Sequence, residues 1–129
     1  MAVESPSYLG ALQCFGVFEP RWASLEGDED GPHPDALREA ARERAARPRF
    51  AYLLPNFQNP TGRLMGDARR DARAEAALAA GVPLLEDDPY GELWYDAPPP
   101  APLAARRPEA TVYLGSFSKV LVPGLRLGY

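Results

Sequence analysis

Lys119 follows two hydroxyl side chains, Ser116 and Ser118, and Arg126 comes shortly after it. Asp87 precedes Tyr90 in the spacing Asp-x-x-Tyr, and Asn59 sits in a polar turn bracketed by Pro55 and Pro60. A lysine amine condenses with a carbonyl to form a Schiff base. An aldehyde-bearing pyridine cofactor needs such a lysine. It also needs a carboxylate to keep its ring nitrogen protonated, donors for its phenolate oxygen, and Ser or Arg groups for its phosphate. The side chains present are compatible with all of these demands.

The elements that must position them follow from periodicity. Asp35 to Arg47 reads as a helix, with Asp35 in its first turn and Pro48 as its stop. Leu37, Ala40, Ala41 and Ala45 make one stripe of it, and Arg38, Glu39, Arg42 and Glu43 face water. Phe50 to Leu54 is a short apolar run between breakers and reads as a buried strand. Asp67 to Ala80 reads as a second helix with a thin stripe of Ala68, Ala72, Ala76 and Ala79, stopped by Gly81. Val82 to Leu85 is the next strand and runs into Glu86-Asp87-Asp88. Pro98, Pro99, Pro100 and Pro102 form a stiff surface connection. Thr111 to Leu114 is a third strand, rich in β-branched and aromatic residues. Buried strands alternating with helices predict an α/β fold with a largely parallel sheet flanked by helices. In such sheets ligands gather at the carboxyl ends of the strands. Asn59, Asp87, Ser116 and Lys119 all fall there. The Ala- and Arg-rich stretches read as helical surface.

Composition sets wider bounds. With 129 residues and a net charge of -4, the chain makes at most one domain and lacks the clustered Lys/Arg of a nucleic-acid footprint. A hydrophobic share of 46% and a charged share of 25% are ordinary for a globular protein. Every apolar stretch falls short of the roughly 20 residues of a membrane span. The start Met1-Ala2-Val3-Glu4-Ser5-Pro6 lacks the basic and apolar regions of a signal peptide. Cys14 is the single cysteine, which excludes an internal disulfide and fits a reducing, cytoplasmic setting. It reads as a small buried hydrophobe. Trp22, Trp94 and Tyr95 read as packing residues. No metal site is expected around the acidic cluster, which has no His or Cys nearby.

The order of motifs resembles the class I/II aminotransferases, pyridoxal-phosphate enzymes of fold type I. The matching segments are Val3-Glu4-Ser5-Pro6-Ser7-Tyr8, Pro55-Asn56-Phe57-Gln58-Asn59-Pro60-Thr61-Gly62 and Glu86-Asp87-Asp88-Pro89-Tyr90. Gly115-Ser116-Phe117-Ser118-Lys119 and Pro123-Gly124-Leu125-Arg126-Leu127-Gly128-Tyr129 follow in the family's order. The wording is nearest the branch of 2-aminoadipate, kynurenine and aromatic aminotransferases. The resemblance implies pyridoxal 5'-phosphate as cofactor and amino-group transfer between an amino acid and a 2-oxo acid. It implies that Lys119 is the Schiff-base lysine and later moves the proton between substrate Cα and cofactor C4′. Asp87, chosen over Asp88 by the family spacing to Tyr90, would pair with the ring nitrogen. Asn59 and Tyr90 would hydrogen-bond the phenolate oxygen. Ser116, Arg126 and, more weakly, Ser118 would hold the phosphate, and Tyr8 would stack on the ring.

Chains of this family are several times longer. Residues 1–129 are therefore expected to be part of the cofactor-binding large domain, without its N-terminal part and without the small C-terminal domain, and to be inactive alone. The full-length protein is expected to be a homodimer with no nucleic-acid or membrane partner. The resemblance also admits a second role, the aminotransferase-like effector domain of a winged-helix transcription regulator.

Overall fold

A computed structural model describes residues 1–43 and 47–129. In chain order the strands are β1 (Ala2–Glu4), β2 (Ala23–Leu25), β3 (Gly27–Asp28), β4 (Gly31–Pro32), β5 (Ala51–Leu53), β6 (Leu84–Asp87) and β7 (Thr111–Leu114). The helices are α1 (Leu9–Gly16), α2 (Pro34–Arg42), α3 (Asp67–Ala80), α4 (Leu103–Arg106) and α5 (Phe117–Val120). Five strands form one sheet in the order β2-β1-β5-β6-β7, every pair parallel. β3 and β4 make a separate antiparallel hairpin. The expected α/β architecture with a parallel sheet is what the chain adopts.

The period of two along each strand divides the sheet into two faces. Ala2, Leu25, Ala51, Leu53 and Leu84 point to one face, where Leu37 of α2, Ala74 and Ala77 of α3 and Leu103 of α4 cover them. Val3, Tyr52 and Leu54 point to the other, covered by Ala11, Leu12 and Phe15 of α1. α1 covers the β1–β5 part of that face. Val112 on β7 is 56% exposed, although its register partner Leu85 packs against the α1 cluster.

α3 and β7 begin and end where the sequence placed them. Gly81 closes α3 in the left-handed conformation (φ 60°), and Val82 N–H reaches back to the Ala77 carbonyl at 3.0 Å. Only an achiral residue adopts that φ without strain. Elsewhere the boundaries shift. α2 starts at Pro34, whose missing N–H costs nothing in the first turn. It ends at Arg42 rather than Arg47, because Glu43 leaves the helical region at ψ 89°. Ala45 of the expected stripe lies outside the described residues. β5 spans Ala51–Leu53, and β6 runs from Leu84 through the acidic Glu86 and Asp87.

The buried side of α3 differs from the expected alanine stripe. Of that stripe Ala76 is fully buried and Ala72 half-buried, but Ala68 and Ala79 are exposed, and Arg70, Arg73, Ala74 and Ala77 are buried alongside Ala76. Both arginines are fully buried, so this stretch is not simply helical surface. Arg70 is held by carbonyls and an amide: Nε donates to Met65 O at 2.8 Å and Nη2 to Asn56 Oδ1 at 2.6 Å. Arg73 Nη1 donates to His33 O at 2.9 Å. Acceptors of this kind offset the cost of burying a guanidinium, fully for Arg70 and only at Nη1 for Arg73, whose Nε and Nη2 have no hydrogen-bond partner among the described residues. Cys14, expected to be buried, is exposed on α1. Tyr95, expected to pack, is instead 98% exposed.

Candidate functional site

Three consecutive acids follow β6, and strand geometry gives each a different surrounding. Glu86 points to the closed face, where Oε1 accepts from Leu103 N at 3.0 Å and Oε2 from Ala104 N at 2.9 Å. Those are orphan donors in the first turn of α4. Asp87 points to the opposite face, and its Oδ2 accepts from Tyr52 Oη. Burial raises the Asp87 pKa above the usual carboxylate range, the Tyr52 hydrogen bond opposes that rise, and the Asp88 charge adds to it. Asp88 lies beyond the strand and is tied down: Oδ2 accepts from Asn56 Nδ2 at 2.9 Å and from Tyr113 Oη at 2.9 Å.

The turn after β5 is built around Gln58. Its Nε2 donates to Glu4 Oε2 at 3.1 Å and to Pro6 O at 2.8 Å. Its Oε1 accepts from Thr61 N at 2.9 Å and Thr61 Oγ1 at 2.7 Å. One amide thus joins the loop that carries Tyr8 to the turn that carries Asn59. Glu4 is buried, and desolvation pushes its carboxyl up to about 7 against the Gln58 and Leu54 hydrogen bonds and the Arg73 charge.

After β7, Ser116 caps α5: its Oγ accepts from Ser118 N at 3.1 Å. The chain then turns back through a 3-10 turn at Pro123–Leu125. Arg126 adopts φ 53° there, a left-handed conformation that is uncommon for a residue with a Cβ. The return segment pairs with the end of β7, with Gly115 N to Tyr129 O at 2.7 Å and Phe117 N to Leu127 O at 3.1 Å. This antiparallel bridge pairs Ser116 with Gly128, two residues after Arg126. Lys119 Nζ stands 5.8 Å from the Tyr90 ring centroid.

All eight residues singled out from the sequence line a single cavity: Tyr8, Asn59, Asp87, Tyr90, Ser116, Ser118, Lys119 and Arg126. Leu54 and Pro89 complete its wall. Lys119 and Asp87 therefore face the same space from different strand ends. None of the eight is missing from it.

The sequence profile of the family described as aminotransferase class I and II matches residues 28–129. The chain belongs to the class I and II aminotransferases. It is 40% identical to aromatic-amino-acid aminotransferase 1 of Thermococcus litoralis, over 100% of this chain and 32% of that protein. The crystal structure of LysN, the α-aminoadipate aminotransferase of Thermus thermophilus, complexed with N-(5'-phosphopyridoxyl)-L-leucine, superposes with a TM-score of 0.90. That match is 41% identical and covers 99% of this chain and 33% of LysN. An uncharacterised HTH-type transcriptional regulator of Bacillus subtilis, YisV, is 36% identical over 98% of this chain and 26% of its own length. This aminotransferase chain thus spans about a third of the length of the curated relatives it matches.

Some residues that shape the cavity carried no motif. Tyr52 read only as part of a buried apolar strand. Its hydroxyl, on the same face as Leu54, is what reaches Asp87. Asn56 and Gln58 lay inside a recognised segment, yet their partners Asp88 and Glu4 are distant in sequence. The usable signal for Tyr52 was its parity: it stands two residues before Leu54, which lines the cavity.

Proposed function

We propose that this chain forms the cofactor cradle of an aminotransferase, which moves an amino group between an amino acid and a 2-oxo acid with pyridoxal 5'-phosphate. The observation that carries the reading is the single cavity in which an amine, a carboxylate, an amide, two phenols, two hydroxyls and a guanidinium converge. That donor set fits pyridoxal phosphate group by group. When bound, the cofactor supplies an aldehyde for the amine and a cationic ring that withdraws electrons from the bonds at the substrate Cα.

The residues divide the work. Arg126 and the Ser116 hydroxyl bind the phosphate, and Ser118 adds a second hydroxyl. Asp87 holds a proton on the ring nitrogen by its negative charge. Asn59 and Tyr90 donate to the phenolate oxygen, and Tyr8 lies against the ring face. Lys119 Nζ would hold the aldehyde carbon and, once the substrate amine displaces it, would as a free amine move the proton between the substrate Cα and C4′. Charge and hydrogen-bond donors are set before substrate arrives, so little reorganisation accompanies the reaction.

The amino donor, the oxo acid and a homodimeric assembly belong to the whole protein, and a cytoplasmic setting fits the single cysteine. Among the described residues, no helix is long and apolar enough to cross a membrane. The likeness to YisV supports a second reading, an effector domain in a regulator. An in-frame winged-helix segment upstream of Met1 would decide for it. The cradle itself is tested by adding pyridoxal phosphate to the chain, reducing with borohydride and mapping the adduct by mass spectrometry. A stable adduct on Lys119, absent from Lys119→Ala, is expected. Labelling of the Met1 amine, the chain's one other amine, in place of Lys119, or no labelling at all, would refute the cradle.

A further inference from the structure

Tyr52 is 1% exposed in the middle of β5, yet it ends in a polar atom aimed at the site. The register explains how. Tyr52 pairs with Leu85 on the neighbouring strand, and Asp87 lies two residues further along that strand on the same face. The Tyr52 hydroxyl therefore arrives beside the Asp87 carboxylate and donates to Oδ2. Its ring is held from behind. Phe15 of α1 meets it edge-on with centroids 5.6 Å apart, and Phe15 meets Phe50 in the same way at 5.6 Å. Such edge-to-face pairs contribute beyond simple burial.

The contact has two consequences for a carboxylate. One lone-pair position is taken, so the plane of the group is fixed while Asp87 still lines the cavity. A donor to a carboxylate also favours its charged form. Burial and the neighbouring Asp88 push Asp87 towards the neutral form, and the Tyr52 hydroxyl is the group that opposes them. Burial and the Asp87 charge push the Tyr52 phenol far above its ordinary value, so it remains a donor throughout the physiological range.

We propose that Tyr52 is a positioning residue for the ring-nitrogen site: its hydroxyl holds Asp87 as an oriented anion, and α1 holds Tyr52. The inference rests on the assignment of Asp87 to the ring nitrogen made above. Tyr52 touches neither cofactor nor substrate and acts through Asp87.

The test is Tyr52→Phe in the full chain, which keeps the ring against Phe15 and removes only the hydroxyl. Carboxyl-carbon NMR of Asp87 without cofactor reads the first consequence. Its titration midpoint should rise by about one pH unit in the variant. Chain loaded with pyridoxal phosphate labelled with 15N in the ring reads the second. The nitrogen signal should move towards the unprotonated position, and the cofactor dissociation constant should rise about tenfold, as for other supporting partners of a ligating group. Phe15→Leu, which keeps the hydroxyl but loosens its clamp, should move both readouts in the same direction by less. An unchanged Asp87 midpoint overturns the inference whatever the cofactor does. If the wild type forms its Lys119 adduct but the nitrogen signal ignores Tyr52→Phe, the positioning role is overturned while the cradle stands. If the wild type forms no adduct although the Asp87 midpoint moves, the cradle reading fails and takes the positioning role with it.

Discussion

The two faces of the sheet are built from the same strands and differ in what covers them. On one face α2, α3 and α4 seal Leu25, Leu37, Leu53, Leu84 and Leu103 to 1% exposure or less. On the other, α1 covers Val3, Tyr52 and Leu54 with Leu85 packed beside them, and Leu54 and Asp87 border the cavity. Alternation along a strand therefore assigns neighbouring residues to different duties. Glu86 serves helix α4 on the sealed face, and Asp87 lines the cavity on the other. The general lesson is that a parallel sheet can keep stability on one side and chemistry on the other without separating them in sequence.

That division predicts a double dissociation. Lys119→Ala should abolish the borohydride-stable cofactor adduct outright while shifting chemical denaturation by less than about 0.5 kcal/mol, because Lys119 is exposed. Leu53→Ala on the sealed face should do the reverse. It should cost about 2–5 kcal/mol in a denaturation midpoint through lost burial and an unfilled cavity. Whatever chain remains folded should still form the Lys119 adduct. A Lys119 variant that unfolds, or a folded Leu53 variant that loses the adduct, would show that the two faces are not independent.

The contrast between the faces also marks how far the sequence could be read. α3 is long and β7 is rich in β-branched and aromatic residues, so both stood out locally. β1 has three residues, too few to show alternation, and it gains its place only by pairing with β2 and β5. The cavity residues were legible because their motifs recur in a fixed order, and all but the Arg126 motif fall at or just after the end of a strand. The supporting groups were not. Arg70 looks like any solvated helix cation until Met65, Asn56 and Pro55 surround it with acceptors. Likewise, the partnership of Gln58 with Glu4 depends on two loops meeting across the sheet.

Glu4 offers the next test, now of how the loops of Tyr8 and Asn59 are joined. Its folded pKa of about 7 lies above the ordinary value of 4.5, so protonation favours the folded chain. The resulting stability is fully present below pH 4.5 and is lost as pH rises through about 7, with no further change above that from this group. A shift of that size corresponds to about 3 kcal/mol over the window. Glu4→Gln should flatten this part of the stability profile. It should also cost about 1 kcal/mol at low pH, because its amide places a donor against Gln58 Nε2. Denaturation midpoints measured from pH 4 to pH 8 check both; an unaltered slope in the variant would assign the pH dependence to other groups.

The smallest expected effect is the sharpest test of alternation. Glu86→Gln leaves one acceptor oxygen for two backbone donors, Leu103 N and Ala104 N. One hydrogen bond is lost, which costs about 1 kcal/mol, and amide exchange at Leu103 and Ala104 should quicken by about fivefold. The cofactor affinity should not change, since the side chain is on the sealed face. Asp87→Asn, one residue away, should leave those two amides untouched and weaken cofactor binding. Its pH dependence should change too, because an amide cannot supply the charge that holds a proton on the ring nitrogen. Exchange and affinity measured on both variants give four readouts. If Glu86→Gln weakened the cofactor as much as Asp87→Asn does, the acidic cluster would be acting as one electrostatic field, and strand parity would not be what separates structure from chemistry here.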